Sequence, residues 1–238
     1  MGTYRIVDNL AALIAQLLIG FLEPADYVSY NILALVCCAS LLPLTLTKIK
    51  EPETPTAPRL RPKLALYRSP LAVAGVVVAA VSGATFRMVG PIFGAEVGLQ
   101  VEQIAYFLSA FIFGGALAQY PVGWLADKYD RRWVLIWLSA AAIVSSMIST
   151  SMSDNSTLGI FLIAFGFGFT TFPIYSVAAA HAHDFASLNE RVELSASLLF
   201  YYAIGAIAAP LFASFLMDSF GPNAMFLLIA FAHLLLVI

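Results

Sequence analysis

Of the 238 residues, 61% are hydrophobic and only 11% charged, and the mean hydropathy is +0.89, whereas a soluble domain carries about 25% charged residues. A chain so poor in charge cannot cover its surface with polar groups, which excludes an ordinary soluble domain and makes lipid the solvent for much of that surface. The formal net charge of -2 says little alone, because its distribution along the chain carries the information.

Apolar stretches long enough to cross about 30 Å of hydrocarbon predict eight helices, at 6–21, 28–47, 70–93, 104–126, 133–150, 158–180, 194–217 and 222–238. Unbroken runs, rather than ten-residue alternation, exclude a membrane β-barrel. Asp8, Asn9 and Gln16 interrupt the first helix and form a candidate polar stripe toward a cavity. The second holds Cys37 and Cys38 side by side, without the separated spacing of a zinc motif. Between the second and third lies 48–69, where Pro52, Pro55, Pro58 and Pro62 among charged residues predict an extended or irregular connection.

Arg87 stands alone as a basic residue inside a predicted span. An arginine costs at least about 2.5 kcal/mol at the bilayer centre, so it must face protein, water or headgroups. A cavity or gating role, an interface anchor and a structural ion pair are its three readings. Small residues, among them Gly114, Gly115, Gly166, Gly168 and Gly205, predict close helix contacts. Thr170, Thr171 and Tyr175 bracket Pro173, so their hydroxyls either face an aqueous cavity or repair the backbone. His181, His183 and Asp184 do not define a metal site without further ligands, and no phosphate-cradling loop is present. Glu190 and Glu193 are read as complementing the N-terminus of the seventh span.

Eleven of the twelve basic residues fall on one side of the eight-span layout, at Arg5, in 48–69, in 128–132 and at Arg191. The opposite loops hold Glu23, Asp26, Glu96, Glu102, Asp154 and Asp218 without Lys or Arg. The positive-inside rule places the basic side, and both ends of the chain, in the cytoplasm. Almost no tail precedes the first span and no basic anchor follows the last, from which truncation at both ends is expected.

The densest cytoplasmic charge lies in Gly123-Trp-Leu-Ala-Asp127-Lys128-Tyr-Asp130-Arg131-Arg132. Asp127 falls at a helix C-terminus, where the dipole disfavours an anion, so Lys128, Arg131 or a neighbouring helix must compensate it. The alternative is a plain basic anchor. This segment resembles the signature turn of the major facilitator superfamily, approximately Gly-x-x-x-Asp-Arg/Lys-x-Gly-Arg/Lys-Arg/Lys, with Asp130 in place of the usual second glycine. Gln119-Tyr120-Pro121 beside it is similar to bacterial sugar-permease-like or drug-efflux-like members.

The resemblance implies an all-α polytopic membrane protein, a partial superfamily fold of about eight transmembrane helices. Residues 1–47 would be the last two helices of an N-terminal bundle, 48–69 the cytoplasmic interdomain linker, and 70–238 a six-helix C-terminal bundle. It further implies secondary active transport of a small solute by alternating access, with protons a candidate coupling ion, in a bacterial inner membrane. Gly123, Asp127, Lys128, Arg131 and Arg132 would then form a conformational latch. The candidate cavity residues are Arg87, Gln16, Thr170, Thr171 and Tyr175. No catalytic constellation, cofactor, metal or nucleic-acid partner is expected, and helices absent from this chain or a partner chain would complete it. The competing reading is a non-transporting structural or sensory membrane subunit.

Overall fold

A computed structural model describes residues 2–18, 26–47, 59–151 and 156–237. Those residues form helices without strands: α1 (Gly2–Leu18), α2 (Tyr27–Leu46), α3 (Pro62–Arg68), α4 (Pro70–Glu96), α5 (Val101–Lys128), α6 (Arg131–Ser151), α7 (Thr157–Asp184), α8 (Arg191–Phe220) and α9 (Ala224–Val237), with a single 3-10 turn at Leu188–Glu190 before α8. Five helical segments are long and apolar enough to cross a membrane: α4, α5, 131–150 of α6, α7 and the run from Leu188 to Phe220. Apolar stretches of α2 and α9 are shorter, and the 17 described residues of α1 rise about 25 Å. A helix occupies each predicted segment among the described residues, with 19–21 of the first and 238 of the last outside them. Several run past their apolar core, as α8 does through Arg191 and Glu193, because a helix continues into the headgroup zone where charge is solvated.

Local chemistry sets the breaks. Ser69 separates α3 from α4: its N–H donates to the Ala65 carbonyl at 2.9 Å, its hydroxyl accepts the Ala72 N–H at 3.1 Å, and Pro70 follows at the first helical position. Gln100 and Gln103 form a capping box at the start of α5. Gly221, at φ 87°, closes α8 by donating its N–H to the Met217 carbonyl at 2.8 Å.

Within the bundle, α5 packs along α7, α4 along α8, and α6 against both α7 and α9, while α1 lies against α5. The α5–α7 seam is a reciprocal backbone contact. A Cβ on Gly114 would overlap the Phe165 carbonyl oxygen, and one on Gly168 would overlap that of Phe111. The sequence left both Gly166 and Gly168 open as contact residues. Gly168 meets α5, whereas no described atom lies within 4 Å of a Cβ on Gly166.

Two apolar layers fill the bundle. One is aromatic, built on Phe86, Phe107, Phe111, Phe167 and Phe226, with the Phe86 and Phe111 rings 4.0 Å apart and 18° from parallel. The other uses smaller side chains, including Val76, Leu135, Ile174, Val177 and Leu198. Fully buried Ser82 of α4 and His233 of α9 pair at 2.9 Å. Because the Ser82 hydroxyl donates to the Val78 carbonyl at 2.9 Å, the imidazole Nε2 serves as donor in that pair.

The connection 48–69 is described only from residue 59. Its last part is not irregular: Pro62 initiates α3, since proline lacks only an N–H that the first turn leaves unpaired anyway.

Candidate functional site

The basic residues Arg59, Arg61, Lys63, Arg68, Lys128, Arg131, Arg132 and Arg191 gather at one end of the helices, where α3 meets α4, α5 meets α6, and α7 meets α8. Two ion-pair clusters organise this end.

The first is the turn between α5 and α6. Asp130 directly precedes α6, and its carboxylate accepts the Arg132 N–H at 2.9 Å, satisfying one of the donors a helix start leaves open. That cap gives Asp130 a physical reason at the position where the superfamily signature has glycine. Arg131 in the first turn of α6 pairs with Asp184 at the end of α7, and its other terminal nitrogen lies 3.5 Å from Asp127 on α5. One guanidinium thus ties three helices. The Arg131 side chain is 22% exposed and that of Asp127 79%, so solvent screens the Asp127 contact far more than a buried pair. Lys128 does not join this network; its ammonium sits 4.8 Å from the Trp124 ring centroid. Arg132 contributes its backbone cap. A close approach by Gly123 is not seen among the described residues, where no atom lies within 4 Å of an added Cβ. Instead Gly123 borders a cavity of about 600 Å³ between α5, α7 and the start of α8.

The second cluster pins α3 to α8. Arg68 donates to both carboxylate oxygens of Glu190, at 2.6 and 2.8 Å. Arg61 pairs with Glu193 at 3.0 Å, and the Ser197 hydroxyl donates to the Arg61 carbonyl at 2.8 Å. The hydrogen bond to Glu190 pushes the Arg68 guanidinium above its already high pKa. Helix capping, the reading drawn from sequence, accounts for part of the Glu190 geometry, since its carboxylate accepts the Ser187 N–H and hydroxyl at 3.1 and 2.8 Å in a capping box, and the Arg68 pair is the part it misses.

Farther along the helices, α4, α5, α7 and α8 border a partly open cavity of about 200 Å³ that Arg87, which is exposed, Gln119, Thr171, Tyr175, Ser176 and Tyr202 line. Arg87 rests its guanidinium 5.3 Å from the Phe172 ring centroid, and among the described residues no carboxylate pairs with it. Tyr175 and Tyr202 meet edge to face at 5.3 Å. Gly83 and Ala79, one and two turns before Arg87, form a small-residue wall.

Of the residues predicted for a cavity, Arg87, Thr171 and Tyr175 converge here, whereas Gln16 and Thr170 do not line it. The Thr170 hydroxyl donates into its own helix, to the Gly166 and Phe167 carbonyls at 3.1 and 3.0 Å. Thr171 likewise donates to Phe167 at 2.8 Å, though it borders the space. The side chains of Asp8 and Asn9 lie outside the described set. Gln119, Ser176 and Tyr202 escaped sequence reasoning. The usable signal was helical spacing: Gln119 stands four residues before Gly123, and Ser176 follows Tyr175. Asp184, read with His181 and His183 as an incomplete metal set, is an ion-pair partner; among the described residues no group of three potential metal ligands converges. His183 instead pairs with Ser195 at 3.1 Å, joining α7 to α8.

The Major Facilitator Superfamily model matches residues 71–238. An uncharacterized MFS-type transporter of Enterobacter sp. (strain 638) is 28% identical over 245 residues, covering 100% of this chain and 62% of that protein. The uncharacterized MFS-type transporters YcaD of Salmonella heidelberg (strain SL476), 27% identical over 248 residues, and of Escherichia coli O17:K52:H18, 25% identical over 243, show the same coverage. The chain therefore spans 62% of the length of these curated relatives. With its apolar helices it is a multi-pass membrane protein, related to transporters rather than to enzymes. The chain belongs to the Major Facilitator Superfamily.

Proposed function

We propose that the protein acts in secondary active transport of a small solute by alternating access, with the α5–α6 turn as a latch at the cytoplasmic face. The observation that carries this reading is the three-helix tie made by Arg131, which holds α5, α6 and α7 together at the basic end of the bundle. A tie of this kind biases an equilibrium only if it is made in one state and broken in the other. Asp184 forms the anchored side of it; Asp127, exposed and at its distance limit, is the acid free to exchange partners. Residues 1–47 belong, in this reading, to the first bundle, 48–69 to the linker, and 70–238 to the second bundle, whose cavity faces the first. The positive-inside rule puts the basic end in the cytoplasm of a bacterial inner membrane. An ion gradient would supply the energy, with protons the candidate coupling ion.

The test needs no solute. Spin labels at the cytoplasmic ends of α1 and α5 report the distance distribution between the two parts, in wild type and in Asp127→Asn and Arg131→Gln. Redistribution in both variants is the expected result. A folded Asp127→Asn protein with the wild-type distance distribution removes the latch, and leaves the structural-subunit reading in its place.

A further inference from the structure

The cavity holds one charge, and the described part of the molecule supplies nothing opposite to it. Arg87 sits well inside α4, nine residues before Glu96, or about 13 Å along the axis. The other polar side chains lining the cavity, Gln119, Thr171, Tyr175, Ser176 and Tyr202, are neutral. In α4 to α9 the carboxylates all lie at helix ends: Glu96, Glu102, Asp127, Asp184, Glu193 and Asp218. Those near the basic end already have partners in Arg131 and Arg61. A cation kept inside a span without a protein counter-charge marks a substrate or ion pathway.

Geometry narrows the class of solute. Side chains lean toward the N-terminus of their helix, which carries Arg87 back over Gly83 and Ala79, the small residues of the same cavity wall. The Arg87 guanidinium carbon lies 5.3 Å from the Phe172 ring centroid, and the planar fork has an edge of N–H donors. That edge suits a carboxylate, which accepts two parallel N–H bonds. Across the cavity the Tyr175–Tyr202 edge-to-face pair offers apolar ring surface for the remainder of a small molecule.

We propose that the solute bound in this cavity is a small organic anion whose carboxylate sits on Arg87 and whose apolar part lies toward Tyr175 and Tyr202. The proposal rests on the transport reading and specifies the charge class of its cargo. Gln119 and Ser176 complete the hydrogen bonding around the anion, and among the described residues no acid lines the wall.

The test uses matched probes that differ in charge and little else: benzoate, benzamide and benzylamine, with butyrate, butyramide and butylamine as a second set. The protein, purified in the form the cell makes, is titrated with each in detergent while its thermal unfolding midpoint is followed. At least one carboxylate is expected to raise the midpoint saturably, its amide and amine to fail, and Arg87→Gln to weaken the carboxylate about tenfold or more. Arg87→Lys retains charge without the fork and falls between. An equal response to the amide or amine, or a carboxylate response undiminished in folded Arg87→Gln, overturns the anion assignment and leaves transport standing. Silence across all six also overturns it, and the latch is then judged by its own solute-free distance measurement. If Arg87→Gln reduces membrane insertion but binds benzoate as wild type does, Arg87 is an interface anchor and the proposal falls.

Discussion

Arg131 and Asp184 are 53 residues apart in sequence and joined in space. Their contact carries the end of α7 onto the start of α6, and it depends on both partners far more than the neighbouring contact with Asp127 does. A double-mutant cycle on Arg131→Gln and Asp184→Asn, read by denaturation in SDS, is expected to give a coupling of about 1 kcal/mol. The same cycle with Asp127→Asn gives a few tenths, because that carboxylate is largely solvated.

The α5–α7 seam has no room for a methyl group at two positions. Gly114→Ala and Gly168→Ala each force backbone apart from backbone, with an expected loss of about 1–3 kcal/mol or more. Gly166→Ala is the control: it meets open space among the described residues and should be neutral or slightly stabilising. The fraction of folded protein across an SDS titration separates the three.

Limited trypsin digestion tests the α3 tether. Removing its acids with Glu190→Gln and Glu193→Gln frees a segment holding Arg59, Arg61 and Lys63. Losing both pairs is expected to raise cleavage there by a few fold when opening is fast. Unchanged cleavage would mean that Ser197 and Tyr201, through their bonds to the Arg61 and Pro62 carbonyls, hold the segment without the charges.

At the α5–α6 turn, Asp130→Ala should lower stability by about 1 kcal/mol and Asp130→Gly by only a few tenths. Thermal midpoints of the two variants check the order. A midpoint above wild type in Asp130→Gly would show instead that the glycine of the superfamily signature serves the turn better than a cap.

Length and hydropathy made the helices readable, because a span must satisfy its backbone internally over the thickness of the bilayer and leaves long apolar runs as its trace. Rotation about each helix axis was not readable. On a helix such as α7 the faces toward lipid and toward protein are both apolar, so nothing in the run told Gly166 from Gly168, or Thr170 from Thr171. Charged residues were legible only in part. Asp184, Glu190 and Glu193 were interpreted through their neighbours in the chain, while their partners Arg131, Arg68 and Arg61 come from other helices. Arg87 was identifiable precisely enough as an exception to hydropathy, but Gln119 and Tyr202 are ordinary residues that become informative only when four helices are assembled around them.

The Ser82–His233 pair behaves like a dowel between α4 and α9. Sliding either helix by one turn would strand the imidazole Nε2 in an aromatic and aliphatic interior, while the Ser82 hydroxyl would keep its bond to the Val78 carbonyl. The interlocked glycines of α5 and α7 impose the same restriction on the other seam. Sliding of α4 against α9, or of α5 against α7, is therefore opposed by contacts that fit in a single register, so each pair is expected to move as a unit.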